Sequence, residues 1–162
     1  MFPAFSAGLL VGLNKTKTMK VNLERKNDKF LFEAKGASDV PVFIDNKTDE
    51  PSKGASPMEL LLMGVGGCSA IDVVSILKKQ RQEITAYKME VEGQRKDTGD
   101  AKPFEAIHVS LHLEGKIDDA KAVRAAALSF EKYCSVSITM QASVKVTYSI
   151  VLNGKSLNVL DI

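Results

Sequence analysis

Ser56-Pro57-Met58-Glu59-Leu60-Leu61-Leu62-Met63-Gly64-Val65-Gly66-Gly67-Cys68 opens a long apolar segment and sets one of the chain's two cysteines within it. Its start carries a complete helix signal. Ser56 is a good N-cap, Glu59 three residues on completes a capping box, and Pro57 suits the first helical position. The helix is expected to run from Pro57 to about Gln80. Leu60, Leu61, Leu62, Met63, Val65, Ile71, Val73, Val74, Ile76 and Leu77 leave almost no polar face before Lys78. A helix apolar all round is expected to be buried on all sides, between strands and a second layer. Asp72 and three glycines interrupt the run, so it needs no membrane. Gly64, Gly66 and Gly67 each cost about 1 kcal/mol against alanine inside a helix. Close approach of another backbone is the simplest compensation. Gly64, Gly67 and Cys68 share one face, where a neighbouring helix can cross. The glycines sit mid-helix with no Gly-Lys-Ser/Thr after them, which argues against a phosphate cradle.

The surrounding chain is that of an ordinary globule. It has 162 residues, 44% hydrophobic and 26% charged, enough for one domain with a sizeable core. The net charge of +2 includes no run of five like charges, so binding to nucleic acid through phosphate neutralisation has little support. Two cysteines are too few for a disulfide scaffold and fit a reducing, cytoplasmic setting. Met1 to Leu13 is apolar but lacks a basic leader, is broken by Pro3 and falls short of the ~20 residues of a membrane span. Met1–Thr18 reads as an N-terminal extension, or as the product of an upstream start with Met19 as the working one. A strand or helix packed on the domain is the alternative. Residues 19–162 form the single expected domain.

Working outward from the helix, three strands are expected before it, at Lys20–Arg25, Lys29–Lys35 and Val40–Asp45. Asn27-Asp28 serves as a two-residue hairpin turn, both residues tolerating positive φ. Asn46–Ala55 is a loop. After the helix come strands at Ile84–Arg95 and Phe104–Gly115, joined by Lys96–Pro103. In the second, Ile107, Val109, Leu111 and Leu113 alternate with His108, Ser110 and His112, the pattern of a half-buried antiparallel strand. An amphipathic helix starts at Asp118 or Asp119 and reaches Tyr133. A short helix at Ser135–Ala142 and a last strand at Val144–Asn153 complete the order.

Few residues offer chemistry. Cys68 alone reads first as a small buried hydrophobe; mid-helix it gains nothing from a helix end, and activation would need a nearby cation. Cys134 precedes the short helix at Ser135, where free N–H groups favour a thiolate, so it is expected to be the more acidic of the two. Asp72 lies one turn beyond Cys68 and needs a hydrogen bond or a cation. His108 and His112, on one strand, stand roughly 13 Å apart, too far to share an ion. No Cys-x-x-Cys motif and no His-x-x-x-His pair on a helix supports zinc, and no metal site is expected.

Ser56-Pro-Met-Glu-Leu-Leu-Leu-Met, Gly66-Gly-Cys-Ser-Ala-Ile-Asp-Val-Val-Ser-Ile-Leu-Lys-Lys and Glu131-Lys-Tyr-Cys-Ser-Val-Ser together resemble the OsmC/Ohr family, in its OsmC-like, YhfA-type branch of redox proteins. The resemblance covers about Met19 to Leu152. It implies an α+β fold with antiparallel sheets packed around long buried central helices in an intertwined homodimer. It also implies a cysteine-based peroxidase for small organic hydroperoxides, without metal, flavin or other cofactor. Cys68 matches the attacking cysteine and Cys134 the resolving one, with a dithiol reductant regenerating both. In Ohr-type enzymes a glutamate directly follows the proline and helps hold an arginine over the thiolate. Here Met58 takes that place and Glu59 lies one residue on, about 100° round the helix. Arg25 is the arginine available in the N-terminal strands. The alternatives are a non-catalytic binding protein for a small apolar ligand and a slow redox sensor.

Overall fold

The computed structural model describes residues 18–46, 48, 51–157 and 160–161. Of the expected extension, all but Thr18 lies outside the described residues. The chain divides into two compact units, 1–54 and 55–162.

In the first unit β1 (Asn22–Arg25), β2 (Phe32–Lys35) and β3 (Pro41–Ile44) form an antiparallel meander, close to the expected positions. The first turn is longer than the two residues expected. Lys26 N–H bonds Leu31 O at 2.8 Å, and Asn27 Oδ1 accepts the N–H groups of Lys29 and Leu31. The Asn27 side chain thus closes the loop itself, as Asx turns do. Positive φ falls not on Asn27 or Asp28 but on Asp39, in the next turn. Val21, Leu23, Phe30, Val40, Val42 and Phe43 are all exposed.

The second unit opens with α1 (Pro57–Lys79). The capping box is complete. Glu59 N–H donates to Ser56 Oγ, and Glu59 Oε2 accepts both the N–H and the O–H of Ser56 at 2.8 Å. The helix ends where Arg81 turns to positive φ and Gln82 N–H reaches Leu77 O. There follow β4 (Glu83–Arg95), β5 (Phe104–Lys116), α2 (Asp119–Leu128), a π-helical turn (Ser129–Tyr133), α3 (Ser135–Met140) and β6 (Lys145–Leu152). Two short strands close the unit, β7 (Lys155–Ser156) and β8 (Leu160–Asp161).

The sheet order is β4-β5-β6-β7, with β8 also paired to β6. β4 and β5 form the expected antiparallel hairpin. β6 runs parallel to β5, however, so the sheet is mixed and the all-antiparallel expectation is corrected. The helical segment between them supplies the crossover that a parallel neighbour requires. One sheet face is buried by strict alternation: Ile107, Val109, Leu111 and Leu113 on β5, and Val146, Tyr148, Ile150 and Leu152 on β6. Onto it pack α1, through Val65, Val73 and Leu77, and α2, through Ala122, Ala125 and Ala126. Phe130 stacks on Tyr148 with ring centroids 4.6 Å apart.

α1 is long and apolar enough to cross a membrane by length and composition alone. Its inner flank is instead part of this core. It is not buried on all sides, as its composition led one to expect. Leu61, Met63 and Ile71 are exposed, Ile71 at 72%, because one sheet and the short helices cover only part of the helix. The glycines divide accordingly. A Cβ on Gly66 would lie 2.9 Å from Val91 Cγ2 and 3.4 Å from Met89 Sδ, so Gly66 is what lets α1 approach β4. One on Gly67 would meet nothing within 4 Å, and one on Gly64 only ordinary contact with Val136. The close approach is therefore to a strand rather than to a crossing helix. Gly66→Ala gains about 1 kcal/mol of helix propensity but incurs an overpacking cost of about 1–3 kcal/mol. Urea unfolding is expected to show net destabilisation of about 1 kcal/mol, and a smaller loss in a Val91→Ala background. Equal losses in both backgrounds would show that Val91 is not the obstacle.

Candidate functional site

Cys68 and Asp72 stand one turn apart on the flank of α1 beside its buried stripe, and both are half-buried. Cys134 comes to them from the other side. The expected helix through Tyr133 stops at Leu128, and the π turn replaces its last part. Cys134 N–H closes that turn on Ser129 O at 2.7 Å, and Cys134 then becomes the N-cap of α3. Its Sγ accepts the Ser137 N–H at 3.4 Å and its S–H points to Val65 O at 4.0 Å. The two sulfurs and a carboxylate oxygen of Asp72 all lie within 4.8 Å of one another. Both thiols are free.

Ser129 joins the two sides. It is fully buried, and its hydroxyl lies 3.3 Å from Asp72 Oδ2 and 3.5 Å from Ser69 O. Asp72 thus has a hydroxyl donor, the kind of partner a shielded carboxylate needs. Ser129 was not singled out from the sequence. Its one signal there is a polar residue on the inner side of an otherwise apolar helical stripe.

The expected acidity of Cys134 is overturned. Its side chain is 0% exposed, and burial raises the thiol from its ordinary 9.0 to about 12. The Ser137 N–H pulls the other way, as the N-cap argument expects. The neighbouring Cys68 and Asp72 add to the rise, and desolvation is the largest cause. Tyr148 is likewise raised from 10.0 to about 12, first by burial and then by the charge of Glu131.

Of the four residues singled out, Cys68 and Cys134 are brought together. Glu59 is engaged in the cap of α1, which gives its carboxylate a structural task. Arg25 belongs to the first unit, where its Nε donates to Lys29 O at 3.1 Å and its Nη2 to the Asp28 carbonyl. Met58 packs against the core. His108 bonds Thr147 and Ser149 on β6, and His112 is exposed, consistent with their reading as residues of the outer sheet face.

Two cavities border this region. An apolar groove of about 470 Å³ runs beside Leu62, Gly66, Gly67, Met89 and Val91, and neither cysteine lines it. A second cavity, of about 360 Å³, is lined by Asp72, Ser75, Lys79, Gln80, Leu128 and Tyr133, and Asp72 is its link to the thiols. Neither cysteine lines this second cavity either.

The family model for OsmC-like protein matches residues 48–149, a span that holds α1, both cysteines and Asp72. The chain belongs to the OsmC-like family. Protein YhfA of Escherichia coli K12 is 39% identical over 121 residues, covering 73% of this chain and 87% of its own. A protein of Aquifex aeolicus VF5, known from its crystal structure, is 32% identical with a TM-score of 0.75, covering 85% of this chain and 98% of that one. The organic hydroperoxide resistance protein OhrB of Bacillus subtilis shares the fold at 20% identity and a TM-score of 0.58, over 83% of this chain and 98% of its own. The mixed α+β architecture with two sheets is thus that of OsmC-like proteins.

The buried thiol and phenol set a pH dependence for this OsmC-like chain. Both are neutral when folded and ionise at ordinary values when unfolded. Their contribution to stability is therefore complete below pH 9.0 and is lost as pH rises toward 12. Urea unfolding followed upward from pH 9 is expected to show falling stability, with a shallower fall in Cys134→Ala. A flat profile would contradict the burial argument.

Proposed function

We propose that this chain is a cysteine-based peroxidase that reduces small organic hydroperoxides in the cytoplasm, working as an intertwined homodimer. The observation that carries the proposal is the meeting of two free thiols, within 4.8 Å, with opposite environments. Membership of the OsmC-like family, whose structural relatives include named redox and hydroperoxide-resistance proteins, supports a redox role in general.

The environments assign the steps. Cys68 is half-exposed and attacks as thiolate. Its sulfur takes the terminal peroxide oxygen, the O–O bond breaks, and the alcohol leaves after protonation, with Cys68 left as a sulfenic acid. Cys134 is buried and held protonated, so it is poorly suited to first attack but adjacent to that product. Its sulfur displaces the sulfenic oxygen as water and forms the disulfide. An external dithiol then returns two electrons and two protons through exchange. Arg25 and Glu59 are the proposed thiolate-stabilising pair. That role requires the Arg25 guanidinium to exchange its hairpin carbonyls for Cys68, and Glu59 to serve both cap and cation.

The dimer is supported by what one chain leaves uncovered. Met63, Gly67 and Ile71 form an exposed stripe along α1, and the three-stranded unit exposes seven large apolar side chains among its described residues. A second copy supplying matching faces would bury both. A non-catalytic ligand-binding role is the second reading, favoured by the apolar groove that no thiol lines. Turnover of cumene hydroperoxide and of hydrogen peroxide with a dithiol separates the two. We expect faster turnover of the organic peroxide and none in Cys68→Ser. Absence of Cys68-dependent turnover with either would favour the binding role, and a monomer by sedimentation would remove the dimer.

A further inference from the structure

Cys68 and Asp72, four residues apart on one helix flank, present their side chains to the same point in space, the spacing by which a helix chelates an ion. Cys134 approaches from a separate element. We propose that the reduced chain binds one thiophilic divalent cation, with zinc the best fit, through Cys68 Sγ, Cys134 Sγ and a carboxylate oxygen of Asp72.

The geometry suits the ion. Zn–S near 2.3 Å and Zn–O near 2.0–2.2 Å in a tetrahedron put neighbouring ligand atoms about 3.5–3.8 Å apart. The three atoms here are already within 4.8 Å of one another, so closure requires about 1 Å of side-chain movement at most. Two of the three ligands are half-buried and have room to make it. Ser129 Oγ, 3.3 Å from Asp72 Oδ2, is the outer partner that orients the carboxylate. Ser137 N–H, 3.4 Å from Cys134 Sγ, suits a thiolate as well as a thiol. Three protein ligands leave a fourth position, and the cavity that Asp72 lines offers both the entry path and space for a water there.

The balance of protons and charge is simple. Two S–H protons leave to solvent, two Zn–S bonds and one Zn–O bond form, and no electrons move. The centre carries one net negative charge, and Lys79, lining the same cavity, is placed to offset it. Standard zinc spacings miss this site because its ligands are a Cys–Asp pair on a helix and a remote cysteine. Metal and disulfide use the same sulfurs, so each excludes the other. The proposal does not rest on peroxidase activity and holds even if the thiols never meet a peroxide.

Cobalt(II) tests it in reduced, metal-free protein under anaerobic conditions. We expect one equivalent per chain, with thiolate-to-cobalt charge-transfer absorption and the strong visible bands of a tetrahedral ion. Zinc should displace it, and Cys68→Ser should lose most of the charge-transfer intensity. The near-isosteric Asp72→Asn keeps both thiols and an acceptor for Ser129, and should weaken cobalt at least about tenfold with shifted visible bands. No charge-transfer absorption in the wild type would overturn the site. Unchanged affinity and spectrum in Asp72→Asn would overturn the carboxylate as a ligand, and with it the three-ligand proposal. Peroxide turnover by the metal-free protein is a separate readout, so the two readings can fail independently.

Discussion

The packing of α1 onto β4 through Gly66 governs the rest of the second unit. It is the one place where a methyl group would press on Val91, and it sets the rotation of the helix about its axis. At about 100° per residue, that rotation decides every other position. Val65, Ser69, Val73 and Leu77 turn into the core. Cys68 and Asp72 fall on the flank facing the π turn, and Met63, Gly67 and Ile71 face outward. A helix rotated by one residue, about 100°, would carry Cys68 and Asp72 off the flank that faces Cys134. The site is therefore a consequence of core packing before it is a matter of catalytic residues.

Burial then gives two identical side chains different chemistry. Cys134 sits at a helix start that favours a thiolate, yet desolvation outweighs the single N–H that Ser137 offers. The same enclosure places it within reach of Cys68 and beside a carboxylate. That carboxylate opposes ionisation of Cys134, but it is well suited to share a cation with both sulfurs. A dithiol with a carboxylate neighbour thus has two uses that exclude each other, oxidation to a disulfide and coordination.

Much of this was legible in the sequence wherever local chemistry decides the outcome. The Ser56–Glu59 cap, the β4–β5 hairpin and the alternation of β5 follow from neighbouring residues alone, and the structure places them within a residue or so of expectation. The two cysteine motifs named the two thiols that the fold brings together. What was missed depends on distant parts of the chain. The parallel pairing of β6 is set by a crossover, not by its own alternation, which reads the same in either direction. The π turn leaves the apolar stripe intact while changing where Cys134 emerges. The burial of Cys134 is a property of the sheet and helices around it, so a capping argument taken alone gives the wrong sign for its acidity. The outward stripe of α1 looked like core because apolar composition alone does not tell a covered helix face from an exposed one.

In the proposed mechanism Cys68 and Cys134 are a working pair rather than two neighbouring core residues. Peptide mass spectrometry under non-reducing conditions, after adding less than one equivalent of an organic hydroperoxide to reduced protein, tests it most directly. A Cys68–Cys134 linked peptide within one chain is expected, two hydrogens lighter than its parts and formed one per peroxide consumed. Peroxide consumed with Cys68 accumulating as sulfinic acid and no link to Cys134, or a link only between Cys68 residues of two chains, would contradict it.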